Sequence, residues 1–134
     1  MSRAGTLPAW TRQVTDADAR AWAELLRDEN PLHADAAAAG ESGLGAGLVN
    51  PGPAGVGYLM TMLLEAFPGA AIRQIKSRFL APVITPAEVV ASGTVEEREQ
   101  VAGGELVHVA LELRAQGTVA ITARAVVSVP ENWP

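Results

Sequence analysis

The stretch Pro53-Ala-Gly-Val-Gly-Tyr-Leu-Met-Thr-Met-Leu-Leu-Glu-Ala-Phe67 decides the fold. Proline suits the first position of a helix, where its missing N–H is no loss, and Pro68-Gly69 closes the segment. Between these marks the residues are apolar nearly all round a helical wheel, and such a helix is buried on most sides. The run cannot cross a bilayer, because Glu65 interrupts it and a span takes roughly 20 apolar residues. A helix of this kind needs an apolar surface to lie on.

The sequence after it supplies one. Ala71–Leu80, Glu88–Glu96, Glu105–Ala115 and Thr118–Val129 read as strands, each ending near turn-forming residues. Val107, Val109, Leu111 and Leu113 share one face of the third; Val119, Ile121, Ala123, Ala125, Val127 and Val129 share one face of the fourth. Gly103-Gly104 and Gln116-Gly117 supply hairpin turns. The expectation is an α+β domain: an antiparallel sheet with one buried face, wrapped around one long apolar helix. The 134 residues suit a single domain with one core.

Before the apolar helix, residues 1–9 read as a loose end and Thr11–Val14 as a short strand. Thr15-Asp16-Ala17-Asp18 is a helix start, with Thr15 as cap and Asp18 returning the bond. Ala19, Trp22, Ala23 and Leu26 then recur at spacings of three and four, predicting an amphipathic helix to Arg27 that Pro31 ends. Asp35–Ala39 reads as a short turn stopped by Gly40. Residues 43–52 are glycine-rich, but they lack the third glycine of a dinucleotide loop and the Gly-Lys-Ser/Thr of a P-loop, so they read as a flexible connection.

The candidate chemistry lies between the two helices, in Asp28-Glu-Asn30-Pro31-Leu-His33. Asp28 stands at a helix end, where the partial negative charge disfavours another anion. His33 follows a proline bend that can bring both side chains onto one water. A carboxylate beside an imidazole that titrates near neutrality is a proton-transfer pair. By spacing alone two readings stand: catalytic pair, or surface aspartate and structural histidine, with Asn30 a turn former and Asp35 a cap. The start of the second helix presents unpaired backbone N–H groups. Pro51 and Pro53 cannot donate, leaving Gly52, Ala54 and Gly55 to hold an oxyanion or simply to let the helix pack closely.

Composition excludes much else. Fifteen acidic against ten basic residues, a net charge of −5, argue against nucleic acid, whose affinity comes mainly from Lys and Arg. There are no cysteines, hence no disulfides, zinc thiolates or thiol nucleophiles. No metal-ligand set is read. The N-terminus shows no basic segment followed by an apolar run, so no secretory signal is expected and the cytosol is the expected compartment.

Asp28-x-Asn30-Pro31-Leu32-His33-x-Asp35 resembles the signature of the MaoC-like dehydratases, which include the (R)-specific enoyl-CoA hydratases; the family's preceding Ser-Gly is Leu26-Arg27 here. Arg78-Phe79-Leu80-Ala81-Pro82-Val83 is similar to the family strand that follows its central helix. The resemblance runs from about Trp10 to Pro130. It implies a hot-dog fold, normally dimeric, and addition of water to a trans-2-enoyl thioester or the reverse. It implies Asp28 and His33 as catalytic residues and a backbone N–H at the central helix start as oxyanion donor. Where the family has His-Gly before that helix, this chain has Val49-Asn50-Pro51-Gly52; with one residue inserted, Gly52 is the donor. Asn30, Asn50, Tyr58 and Met62 are then candidate substrate contacts, Leu59 and Leu63 further candidate lining of an acyl tunnel, and Lys76 and Arg78 candidate contacts to carrier phosphates. No cofactor is implied beyond the CoA or phosphopantetheine that the substrate carries. Partners would be acyl-CoA or acyl carrier protein and a second copy of the chain, with no nucleic acid and no membrane. Two alternatives share this fold: an acyl-thioester-binding subunit that does not hydrate, and a dehydratase of an unusual biosynthetic intermediate.

Overall fold

Thr15 starts the first helix by the mechanism its sequence suggests: its side chain accepts from Asp18 N–H at 3.2 Å, and Asp18 accepts from Thr15 N–H at 2.9 Å. The computed structural model describes residues 5–27, 30 and 47–131. Its elements run β1 (Trp10–Val14), α1 (Asp16–Leu25), β2 (Val49–Asn50), α2 (Gly52–Ala66), β3 (Ala71–Phe79), β4 (Val83–Ile84), β5 (Ala87–Val101), β6 (Gly104–Ala115) and β7 (Thr118–Pro130). A five-stranded sheet has the order β1-β5-β6-β7-β3, and all its pairings are antiparallel. A separate short ladder joins β2 to β4.

The alternation in β6 and β7 faces Val107, Val109, Leu111, Leu113, Ile121, Ala123, Ala125 and Val127 into the core. Gln116-Gly117 turns between them with both residues at positive φ, 51° and 81°, the geometry whose twist matches a two-residue hairpin. Helix α2 lies on this face, burying Ala54, Gly55, Tyr58, Leu59, Met62 and Leu63. Gly55 sets the approach: a Cβ there would stand 2.5 Å from Ile121 Cδ1 and 3.1 Å from Leu113 Cδ2. On the other side of the helix, Gly57 admits the Trp22 ring of α1, whose Cη2 would be 3.3 Å from an added Cβ.

Several expectations change. Helix α2 is not buried on most sides: Leu64 is 46% exposed and Met60 37%, because the sheet covers one flank only. Helix α1 ends at Leu25 rather than Arg27, with Leu26 as C-cap and Arg27 in the left-handed region at φ 54°. The chain therefore leaves the helix before Pro31 acts. Strand β5 runs to Val101, past the expected Glu96. A register shift between Val95 and Glu97 lets a charged stretch keep pairing, and Arg98 meets Glu105 across it at 2.6 Å. Residues 5–9 are not loose: Leu7 N–H donates to Gly93 O at 2.8 Å and Val95 N–H to Gly5 O at 2.9 Å. These bonds use backbone groups, so no side-chain pattern announced them. The short turn expected at Asp35–Ala39 lies outside the described residues. Among the described residues no helix is long and apolar enough to cross a membrane.

The α1 cap has a measurable pH signature. Thr15 N–H, then Arg12 at 2.9 Å, hold the Asp18 carboxyl below its ordinary value of 3.8. A carboxylate whose folded pKa is lowered stabilises the fold above its unfolded pKa and loses that contribution as pH falls through the folded one. Asp18→Asn should therefore flatten the loss of stability below about pH 4. Thr15→Ala should destabilise the fold by about 1 kcal/mol at neutral pH in denaturant unfolding.

Candidate functional site

The site grows from Gly47-Leu48-Val49-Asn50-Pro51-Gly52. Gly47 is where two backbones meet: an added Cβ would overlap the Thr85 carbonyl oxygen at 1.6 Å. Next to it, Leu48 and Thr85 clamp the chain. Leu48 N–H donates to Thr85 Oγ1, and Thr85 N–H to Leu48 O, both at 2.9 Å. The Thr85 hydroxyl in turn donates to the Asp16 carboxylate in the first turn of α1. Leu48 is fully buried and β2 pairs in register, Val49 with Ile84 and Asn50 with Val83. The flexible connection expected over residues 43–52 is thus, from Gly47 onward, anchored by contacts 37 residues apart in sequence.

This clamp aims Asn50 at α2. Its Nδ2 donates to the Tyr58 hydroxyl at 3.3 Å. The Tyr58 ring is held by aromatic neighbours, stacked on Trp10 at 5.6 Å and 25° and edge-on to Trp22 at 6.3 Å and 88°. Asn50 is 4% exposed, and its Oδ1 is buried without a hydrogen-bond partner among the described residues. Leaving such an acceptor unpaired costs about 1–3 kcal/mol.

Pro51 caps α2 without a side-chain hydrogen bond, and the first turn holds no acidic residue. The first turn itself thus supplies no anion to offset the partial positive charge of the helix start. Ala54 N–H is taken by Pro51 O at 3.0 Å, and Pro53 has no N–H. Gly55 lies one turn in, packed on the sheet. Of the three candidate donors, Gly52 N–H is the one left at the helix start. The Phe79 ring stands over Gly52, 2.9 Å from an added Cβ.

Asn50, Pro51 and Gly52 line a cavity of about 360 Å³ with Gly55, Ile121 and the Phe79–Val83 segment. Among the described residues Asn50 is the one polar side chain in that lining. An apolar hollow with one backbone donor and one carboxamide suits a largely apolar ligand carrying a carbonyl.

The other expected site residues fall elsewhere. Asp28 and His33 lie outside the described residues, and Asn30 is exposed. The expectation that Asp28 sits at the helix end is adjusted by the stop at Leu25, three residues earlier. Met62 is 1% exposed in the core, against Gly93, where an added Cβ would lie 3.0 Å from its Cε. Lys76 and Arg78 line a different depression, of about 640 Å³, on the sheet with Arg124. His108 is half-buried beside Glu99 at 3.5 Å. Sequence reading missed Thr85, an ordinary threonine until the fold brings Leu48 and Asp16 to it.

A family model described as MaoC like domain matches residues 5–117. No curated protein matches the chain by sequence. Among solved structures, the unliganded R-hydratase PhaJ1 from Pseudomonas aeruginosa is similar, with TM-score 0.86, 20% identity, and coverage of 98% of this chain and 84% of that one. The (R)-hydratase from A. caviae involved in PHA biosynthesis gives TM-score 0.85 and 23% identity over 97% and 98% of the two chains. The ChsH1-ChsH2 complex from Mycobacterium tuberculosis gives TM-score 0.80 and 22% identity over 96% and 98%. These likenesses show the hot-dog fold.

The clamp predicts a stability effect. Thr85→Val removes an acceptor from Leu48 N–H and a donor from Asp16. Chemical denaturation should show a loss of about 1–3 kcal/mol, beyond that of Thr11→Val on the exposed strand β1.

Proposed function

The chain belongs to the MaoC-like domain family, and from that premise we propose that it hydrates a trans-2-enoyl thioester, or catalyses the reverse dehydration. The observation that carries this reading is Gly52 N–H, the remaining first-turn donor of α2, at the wall of a cavity whose described side chains are apolar apart from Asn50. A thioester carbonyl set against that N–H becomes the oxyanion site, and charge developing on its oxygen is stabilised by a preorganised donor and the positive helix end. Pro51 cannot serve as donor, so the shift to Gly52 is what keeps the site workable.

Asp28 and His33 supply the proton traffic in this reading. One takes a proton from water as its oxygen bonds to C3. Electron density moves from the C2=C3 bond to the thioester oxygen, and the enolate then collects a proton at C2. The net change is H and OH added across the double bond, with no redox step. General acid–base assistance of this kind contributes about 10²–10⁴-fold. The acyl carrier is CoA or the phosphopantetheine of a carrier protein. Lys76 and Arg78, which line the sheet depression and not this cavity, are the cations assigned to its phosphates in this reading.

The proposal also includes a second copy of the chain. Met60 and Leu64 on the open flank of α2, with Phe79 at 56% and Leu80 at 52% exposure, are apolar side chains left in solvent. Strand β3 pairs with β7 and, among the described residues, carries no strand on its other edge. Edges of this kind are managed by pairing.

Asp28→Asn and His33→Ala should each reduce hydration of crotonyl-CoA at least about 100-fold, followed as loss of the enoyl-thioester absorbance, with circular dichroism unchanged. Full turnover in either variant refutes the assignment. A wild-type chain that binds acyl-CoA and hydrates no enoyl-CoA of any length would instead be an acyl-thioester-binding subunit. Sedimentation should give twice the 13.9 kDa chain mass, and Leu64→Arg should return the monomer.

A further inference from the structure

Asn50 is buried at the cavity wall with one end of its carboxamide unpaired among the described residues. Among the described residues it is the one polar side chain lining the cavity, it is 4% exposed, and its amide nitrogen is engaged by Tyr58 at 3.3 Å. In this orientation the carboxamide leaves Oδ1, an acceptor, with no partner among the described residues. Tyr58 cannot swing away, because Trp10 and Trp22 hold its ring from two sides. β2 cannot slip, because Val49 and Asn50 pair with Ile84 and Val83 and the Thr85 clamp holds Leu48. A buried acceptor held this firmly is more costly than an apolar residue of the same size unless something donates to it. A leucine at this place would be the cheaper solution for a core.

We propose that Asn50 Oδ1 reads a hydrogen-bond donor on the ligand that occupies this cavity. The inference deepens the hydratase reading and rests on it for the ligand class. The reacting part of an enoyl thioester has acceptors but no N–H or O–H of its own. Two donors lie close to its carbonyl. One is the amide N–H of the pantetheine arm, four bonds from the carbonyl carbon. The other is the 3-hydroxyl of the hydrated product, three bonds away. With the carbonyl against Gly52 N–H, two residues along the chain, either donor falls within the span of this cavity. Asn50 thus selects ligands by what they donate, while Gly52 holds what they accept. Discrimination of this kind is strong in principle, because a ligand lacking the donor leaves the buried acceptor unpaired.

Binding tests this without requiring turnover. The ligands are saturated thioesters, read by the fluorescence of Trp10 and Trp22. The first pair is the butyryl thioester of N-acetylcysteamine and its isostere S-pentyl thiobutyrate, which lacks the amide. The second pair is 3-hydroxybutyryl and butyryl N-acetylcysteamine. The wild type should prefer the donor-bearing member of at least one pair by roughly five- to tenfold, the worth of one ordinary hydrogen bond. The pair that shows the preference identifies the donor. Asn50→Leu should abolish the preference while keeping or raising the Tm, since it removes an unpaired polar group. Tyr58→Phe, which frees the carboxamide to turn, should weaken it.

Equal affinities within both pairs for the wild type, or a preference that survives Asn50→Leu, overturn the proposal; an Asn50 that merely holds a water gives the first result. Crotonyl-CoA turnover separates this from the hydratase reading. Hydration without discrimination removes the role of Asn50 and leaves the activity. Discrimination without hydration removes the activity and leaves Asn50 as a reader of bound thioesters.

Discussion

The close approach of α2 to the sheet at Gly55 is the contact on which the rest of the molecule depends. With no side chain at that position, the helix backbone settles onto Ile121 and Leu113, and Leu59, Met62 and Leu63 reach the inward faces of β5, β6 and β7. Interiors are packed too tightly for such a contact to be loosened by one methyl group without displacement nearby. Because Gly55 lies at the start of the helix, the same approach sets where the first turn stands relative to Phe79 and Ile121. The hollow at the helix start is therefore a by-product of core packing. Its volume is what remains between a tightly seated helix and the segment that crosses its end.

A second constraint turns that hollow into a site. Thr85 gathers Leu48, Asp16 and its own backbone into one small polar knot, and it does so inside the protein, where unpaired groups would be costly. The knot joins three stretches remote in sequence: the first turn of α1, the strand that leads into α2, and the end of β4. Its consequence is directional. Asn50 has no freedom to turn to solvent, and Pro51 and Gly52 enter the helix at a fixed angle. The prolines that flank Gly52 remove competing donors, so the helix start offers a single N–H where most helices offer several.

Charge is distributed in keeping with this division. Among the described residues the cavity lining carries no charged side chain, while Lys76, Arg78 and Arg124 line a separate depression on the sheet together with Glu112. Lys76 and Arg124 are direct cross-strand partners, an arrangement in which like charges disfavour each other. The two places are joined at β3, whose Phe79 stands over Gly52 at the helix start and whose Lys76 and Arg78 line the sheet depression.

The sequence by itself determined what local physics decides. The capping box of α1, the alternation of β6 and β7, the Gln116-Gly117 turn and the helical run after Pro53 follow from residues within a few positions of one another. The signature that holds Asp28 and His33 stands as a sequence expectation, since both lie outside the described residues. What the tertiary structure alone decided depends on partners far along the chain. That Gly47 must be glycine follows from Thr85; that residues 5–9 are ordered follows from the backbone of β5. Ala54 ceases to be a donor because Pro51 O takes its N–H, and only helix geometry reveals that. Lys76 and Arg78 part from the helix start because strand register, not composition, assigns the face. Asn50 shows the difference most clearly: in sequence it is a polar residue in a glycine-rich stretch, and only burial without a partner gives its oxygen a meaning.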